Sequence, residues 1–299
     1  MEIILKRPEL EDRAQINHYL SYADTRSCEM TFANNYLWSR HYDVGFAIVE
    51  DMLVFGHTTG EVSFTVPVGP GDLKQVLDIL MAYCEEKGVP FQLHNVTRED
   101  FEKLEALYPG MFTIVYEREY ADYVYETEKL IRLSGKKYHS KKNHINKFKS
   151  LYPDWSYEPI TKENPEECFQ MGLRWRELNG CEDDEEKRAE ICVTLNFLRL
   201  FEELEMRGGA LRVDGKIVAF TIGEPVGKDT LVVHIEKAFA DVQGAYTMIN
   251  QQFAEHEGAG FPYLNREEDM GEEGLRQAKM SYKPVFLIEK GVVRKRSVL

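Results

Sequence analysis

Strand-like and helix-like runs follow one another in nearly the same order in the two halves of the chain, and that order narrows the fold more than any other feature. In the second half, residues 155–160 (WSYEPI) alternate as a strand does. Residues 165–179 (PEECFQMGLRWRELN) read as a helix, with Pro165 at its start and Gly180 past its end. A second helix is expected from Asp184 to Met206, its acidic start (residues 182–186, EDDEE) suiting the positive end of a helix dipole. Asp214-Gly215, set between β-type runs at Ala210–Val213 and Lys216–Ile222, marks a hairpin. A strand at 230–237 follows, then a helix from Ala245 with Tyr246, Ile249 and Phe253 on one face. A strand at 261–265, a short helix at 272–282 stopped by Pro284, and strands at 285–289 and 291–294 complete the half.

The first half repeats that order more faintly. Strands are expected at 2–6, 44–50, 52–56, 61–66 and 91–94, with Glu50-Asp51 as a turn and 111–117 opening a last hairpin. Helices are expected at 9–20, 32–40, 72–87 (ending at Gly88) and 98–107. The inference is an α/β protein with mixed sheets, built as two copies of one unit joined near residues 121–150.

Charge is distributed unevenly along the same division. The chain has 37 basic and 51 acidic residues, net −14. Residues 1–120 are net −10, residues 121–150 net +5 and residues 151–299 net −9. An acidic surface disfavours nonspecific binding to nucleic acid or anionic lipid. Residues 136–149 (KKYHSKKNHINKFK) hold six lysines, two histidines and no acid. Tyr138, Ile145 and Phe148 fall on one helical stripe there, with Ser134 as N-cap, so an amphipathic helix with one packed and one basic face is expected. A basic face of this kind suits a local phosphate, whether on a tRNA end, a phospholipid head group or a nucleotide. The plainer reading is a linker helix that neutralises two acidic neighbours.

Other classes are disfavoured. No run of 18 apolar residues exists, and the N-terminal apolar stretch is too short for a secretory signal. Five cysteines without a CxxC pair argue against a disulfide framework or a zinc site, and the eight histidines form neither HxxxH nor HExxH. A reduced, cytoplasmic, metal-free protein is expected. No GxSxG elbow appears, and residues 223–229 (GEPVGKD) imitate a P-loop poorly. Trp175 reads as core.

Two stretches, GKKYHSKKNHINKF (135–148) and YLNREEDMGEEGLRQAKMSYKP (263–284), resemble those of proteins similar to the C-terminal domain of phosphatidylglycerol lysyltransferase. The element order resembles that of the Gcn5-related N-acetyltransferase (GNAT) fold. Two copies in one chain resemble, more distantly, the Fem-type aminoacyltransferases. The resemblance implies tandem GNAT-like domains at 1–125 and 151–299, joined by a basic linker helix at 126–150. It implies acyl or aminoacyl transfer to an amine or hydroxyl, with aminoacyl-tRNA or an acyl-coenzyme A as donor. The alternatives are an acetyl-coenzyme A-dependent N-acetyltransferase and a non-catalytic GNAT-like module that binds a small anionic or amino-acid ligand. Such lysyltransferases often carry a separate membrane domain. The C-terminal basic run Arg294, Lys295, Arg296 is too short to anchor stably, so no stable membrane insertion is expected.

Within this frame the loop 239–246 (FADVQGAY) occupies the position where GNAT enzymes hold the coenzyme A pyrophosphate on backbone N–H groups. Gln243, Gly244 and Ala245 are the phosphate-binding candidates. Asp241 and Tyr246 depart from the expected residues, since Asp241 repels a phosphate and Tyr246 crowds it, so the alternative is an ordinary glycine-started helix. Glu267, Glu268 and Asp269 place three carboxylates in a row after a predicted strand. Crowding is expected to raise at least one pKa, so that Glu268 or Asp269 takes a proton from an incoming amine. They could equally bind a cationic amine, or form a solvated turn capping a helix. Asn265, Arg266, Lys279, His234 and Glu236 are substrate-binding candidates, although His234 also reads as an internally satisfied histidine. Lys136, Lys137, Lys141 and Lys142 are candidates for a donor or acceptor phosphate. Tyr282 sits where many GNAT enzymes place a general acid, and otherwise reads as a core tyrosine.

Overall fold

The computed structural model describes residues 3–57, 60–181 and 184–296. In chain order the elements are α1 (Arg13–Leu20), α2 (Phe32–Tyr42), β1 (Val44–Val49), β2 (Met52–His57), β3 (Ser63–Phe64), α3 (Leu73–Lys87), β4 (Gln92–Thr97), α4 (Arg98–Leu107) and β5 (Phe112–Tyr116). They continue with β6 (Asp122–Glu126), α5 (Thr127–Arg132), α6 (His139–Leu151), β7 (Ser156–Pro159), α7 (Pro165–Leu178), α8 (Glu185–Arg199), β8 (Arg207–Val213), β9 (Lys216–Val226) and β10 (Thr230–Ala238). The last are α9 (Ala245–His256), β11 (Tyr263–Asn265), α10 (Glu273–Ser281), β12 (Phe286–Ile288) and β13 (Lys290–Lys295). Two compact units result. Unit 1 is Met1–Tyr123, Glu268–Arg276 and Leu287–Leu299; unit 2 is Val124–Glu267 and Gln277–Phe286.

Local chemistry explains most boundaries. Glu50 and Asp51 (φ 45° and 60°) join β1 to β2, and Asp214 and Gly215 (φ 47° and 73°) join β8 to β9. Both pairs take the left-handed backbone that a two-residue hairpin turn requires. The Asp72 side chain accepts the Gln75 N–H (3.1 Å) at the start of α3, and Gly88, at φ 67°, ends it. Pro165 occupies the first turn of α7. Asp184 caps α8 by accepting the Lys187 N–H (3.1 Å), while residues 182–183 of the expected acidic start lie outside the described residues.

Unit 1 contains a sheet in the order β1-β2-β3-β4-β13-β5. Helix α3 buries Val76, Leu77, Leu80 and Cys84 against Val54, Phe64, Leu93, Phe112 and Val293. The expected strand at 2–6 is reduced to a single bridge, Lys6 with Phe46. Chain order alone assigns residues 291–294 to the second copy, yet β13 pairs antiparallel with both β4 and β5. Gly291 permits this insertion, because a Cβ there would lie 2.5 Å from the Val115 carbonyl oxygen.

Unit 2 carries the longer strands of the order β12-β6-β11-β10-β9-β8-β7. Helix α9 packs on β8, β9 and β10, and α7 packs on β9 and β10. Consecutive residues show that the two helices lie on opposite faces: Glu236 meets Asn250 of α9, while Lys237 lies over the Trp175 ring of α7. Tyr138, Ile145 and Phe148 are buried as the stripe predicts, but the residue before the short turn that opens α6 is Gly135, not Ser134. Helix α8 stops at Arg199, seven residues short of the expected end at Met206. Ile249 and Phe253 are buried, whereas Tyr246 is exposed.

Gly291→Ala is expected to lower unfolding free energy by about 2 kcal/mol, because backbone on β5 must move to admit the methyl group. Urea denaturation measures this, and an unchanged midpoint would contradict the insertion of β13.

Candidate functional site

The site in unit 2 begins with two parallel strands of unequal length. β10 and β11 are registered from Thr230↔Tyr263 to Val232↔Asn265, after which β11 ends and β10 runs on to Ala238. Side chains beyond that point line the end of the shorter strand, the position where α/β sites form. A bulge between Val233 and Ile235 then resets the alternation of β10. His234, expected to share a face with Glu236, stacks instead on Phe197 of α8 (5.1 Å between ring centres). Its Nδ1 lies 2.7 Å from Glu267 and its Nε2 3.0 Å from Glu224. Burial opposes its charge, but the two carboxylates prevail and push its pKa up to about 10. His234 is therefore an imidazolium held between two acids.

Glu236 organises the other face. Arg266 Nη2 donates to its Oε1 (2.8 Å) and Asn250 Nδ2 to its Oε2 (3.1 Å). The Arg266 guanidinium lies 4.8 Å from the Tyr282 ring centre, and the Lys141 ammonium lies 3.9 Å from the same centre. Lys279 donates to the Arg266 carbonyl (2.5 Å), and the Tyr125 hydroxyl donates to the Lys279 carbonyl (2.8 Å). Tyr282 is 5 % exposed and Thr247 hydrogen-bonds its phenol. Burial keeps that phenol protonated by raising its pKa. Burial, then the charge of Arg266, draws the Lys141 pKa down to about 8.

Three buried polar atoms around Glu236 have no hydrogen-bond partner among the described residues: Arg266 Nη1, Asn250 Oδ1 and Thr221 Oγ1. Arg266 and Asn250 bind Glu236 directly, and Thr221 is its register partner on β9. Buried groups of this kind carry a desolvation cost until something meets them. Asn250 and Thr221 escaped the sequence reading. The available signal for Asn250 was a buried amide on α9 beside Met248, Ile249 and Phe253.

The carboxylate row 267–269 does not stay together. Glu267, at φ 55°, turns to His234 in unit 2. Within unit 1, Glu268 lies 3.8 Å from the Lys290 ammonium and accepts from Cys28 Sγ (3.5 Å). Asp269, fully buried, accepts two bonds from Arg276 (2.9 Å each), one from Arg118 (3.2 Å), one from the Tyr123 hydroxyl (2.5 Å) and one from the Gly271 N–H (3.0 Å). Burial works to raise its pKa, but Arg276, Tyr123 and Gly271 hold it well below the usual carboxylate range. The role of proton acceptor expected for Asp269 is therefore corrected: its carboxylate is taken up by Arg276, Arg118, Tyr123 and Gly271 at the start of α10, and its lowered pKa disfavours proton uptake.

Unit 1 also holds a buried cation centre that the sequence did not reveal. Ligand atoms of Cys28, Glu29 and Asp122 lie within 4.8 Å of one another, a set that could hold a metal ion. The Lys290 ammonium sits there, 2.8 Å from Asp122 and paired with Glu29. Burial of Cys28, reinforced by Asp122 and Glu29, pushes its thiol pKa well up. An ammonium thus meets the negative charge of this set.

The loop before α9 has donors that the fold already uses. Tyr152 accepts the Gln243 N–H (3.2 Å) and the Val242 carbonyl accepts the Ala245 N–H (3.0 Å). Gly244 adopts φ 87°, and a Cβ on it would fall 2.6 Å from the His144 carbonyl of α6. Helix α6 therefore crosses the start of α9. Of the lysine candidates, Lys141 reaches Tyr282, while Lys136, Lys137 and Lys142 stand exposed.

The model of the phosphatidylglycerol lysyltransferase C-terminal family matches residues 21–293. The chain belongs to this family. Among solved structures, a conserved protein of unknown function from Bacteroides thetaiotaomicron VPI-5482 is 40 % identical, with TM-score 0.92 over 99 % of this chain and 100 % of that one. L-PGS from Bacillus licheniformis is 16 % identical, with TM-score 0.66 over 99 % and 96 % of the two chains. FemX is 10 % identical, with TM-score 0.51 over 97 % and 96 %, a likeness of fold. This family member thus has the expected mixed α/β architecture, with two mixed sheets, and belongs to a family named for a lysyltransferase. Among the described residues, no helix is long and apolar enough to cross a membrane.

Two outcomes are expected. Asp269→Asn lowers the thermal midpoint by several degrees, because Arg118 and Arg276 lose their counter-charge; a variant that keeps the wild-type midpoint yet loses activity would restore Asp269 to the chemistry. Since the folded pKa of His234 exceeds its unfolded value, its stabilisation is complete below about pH 6.5 and disappears as pH rises through about 10. The stability gap between wild type and His234→Gln should therefore shrink between pH 6 and pH 10.5. Side-chain nitrogen NMR showing His234 titrating near 6.5 would contradict the arrangement.

Proposed function

We infer that this protein transfers an aminoacyl group from an aminoacyl-tRNA to an amine or hydroxyl acceptor, at the Glu236 cluster of unit 2. The reading is carried by one observation: Tyr282, Lys141, Arg266, Glu236 and Asn250 converge where β10 outruns β11. Membership in a family named for a lysyltransferase supports it. A donor with a phosphate-bearing end suits the basic side of the cluster, with Lys141 reaching in and Lys136, Lys137 and Lys142 exposed on the same short segment. Coenzyme A fits less well, since the Gln243 and Ala245 N–H groups are already used and Gly244 is overlaid by α6.

In this reading the acceptor attacks the ester carbonyl, the ester C–O bond breaks, and the departing tRNA hydroxyl leaves with a proton. We assign that proton to Tyr282, whose phenol burial keeps protonated, and the proton that the acceptor loses returns to the Tyr282 oxygen. The unmet Asn250 oxygen, beside Thr221, receives the amine of the aminoacyl group. Arg266 and Lys141 meet negative charge on the donor. Orientation supplies most of the rate in such a site.

The test uses tRNA charged with radiolabelled amino acids, offered with phospholipid vesicles or small amines. Tyr282→Phe is expected to slow transfer roughly 100-fold with an unchanged thermal midpoint. An undiminished rate would remove Tyr282 from the mechanism. Transfer from acetyl-coenzyme A but not from any aminoacyl-tRNA would overturn the reading.

A further inference from the structure

We propose that the Glu236 cluster selects a ligand carrying an anionic group, carboxylate or phosphate, beside a hydrogen-bond donor, and that it rejects a lysyl group. The inference rests on the reading that this cluster is the acyl-group site. Its basis is a local imbalance of charge. Lys141 and Arg266 both lie against the Tyr282 ring, and the carboxylate of Glu236 is already bound by Arg266 and Asn250. Two cations thus face one engaged anion. Of the other titratable groups packed against Arg266, Lys279 donates to its carbonyl and brings no negative charge, and Tyr125 and Tyr282 are phenols that add none while protonated.

The unmet atoms specify the ligand further. Arg266 Nη1 is a buried donor and calls for an acceptor. Asn250, 3 % exposed, donates through Nδ2 to Glu236, which leaves Oδ1 calling for a donor. Thr221 Oγ1 serves either way. An anion against Arg266 and Lys141, with an ammonium or hydroxyl against Asn250 and Thr221, satisfies every one of these atoms. An aminoacyl group with an acidic side chain has that shape, and so does an aminoacyl amine held next to the donor's phosphate. A lysyl side chain brings a third cation to the two already present, and like charges in a half-buried site repel. Burial and the neighbouring Arg266 charge lower the Lys141 pKa further than Glu236 raises it. Anion binding should reverse that shift, so association near pH 8 is accompanied by uptake of up to about half a proton.

Isothermal titration of the full chain tests this with three probes: L-glutamic acid α-amide, L-lysinamide and inorganic phosphate, each in two buffers of different ionisation enthalpy. The amide of glutamic acid or phosphate is expected to bind at least about tenfold tighter than lysinamide, with proton uptake at pH 8. Tighter glutamyl amide assigns the anion to the acyl group, and tighter phosphate assigns it to the donor. Lys141→Met should weaken the preferred probe about tenfold and Lys141→Arg should restore it. Lys141 is used rather than Arg266 because its loss does not unpair Glu236. Lysinamide binding as tightly as the anions, an undiminished affinity in Lys141→Met, or no binding by any probe would overturn the proposal. If lysinamide is preferred while aminoacyl transfer is still observed, the charge selectivity fails alone. If the anion preference holds but no aminoacyl-tRNA supports transfer, the transferase reading fails alone.

Discussion

A charge removed from water must be met by an opposite one, and residues 266–269 present four charges in succession. Arg266 goes to Glu236, Glu267 to His234, Glu268 to Lys290 and Cys28, and Asp269 to Arg276 and Arg118. Each is drawn to its own partner, and the left-handed backbone at Glu267 and Met270 lets neighbouring side chains diverge. The chain after β11 is held in place by these pairings. Carboxylates that look crowded in one dimension are separated in three, each beside its own partner.

What remains open is smaller and lies on the other side of β10. A single bulge directs His234 to one face, where two acids satisfy it, and leaves Glu236 on the other. Glu236 anchors Arg266 and Asn250 by one contact each and leaves one polar atom on each unmet. His234 and Asp269 have every charge answered, whereas Arg266, Asn250 and Thr221 retain a demand that a ligand could meet.

The basic segment serves two purposes at once. Its apolar stripe, Tyr138, Ile145 and Phe148, is buried, and the His144 carbonyl lies so close to Gly244 that no side chain fits there. Glycine at 244 is thus explained by close packing and a positive φ, with no phosphate required. From the same helix, Lys141 reaches the Tyr282 ring.

The start of α7 at Pro165 and the end of α3 at Gly88, the Asp214-Gly215 and Glu50-Asp51 turns, the amphipathic stripe of α6 and the α/β class were legible in the chain, because each depends on residues only a few positions apart. The family resemblance pointed to Arg266, Glu236 and Tyr282, and the basic run to Lys141, as candidate residues. The local rules aligned His234 with Glu236, whereas a bulge turns it to the other face, where Glu267 and Glu224 satisfy it internally; and they did not show that Arg118, distant in sequence, joins nearby Arg276 around Asp269. They also could not show that β13 enters the first sheet between β4 and β5, because strand pairing is settled by long-range hydrogen bonds and by Val293 filling the core beside Leu93 and Phe112. Composition and spacing set which pieces form. Which charges meet, and which are left for a ligand, follows from packing that brings residues 221, 236, 250 and 266 around one carboxylate.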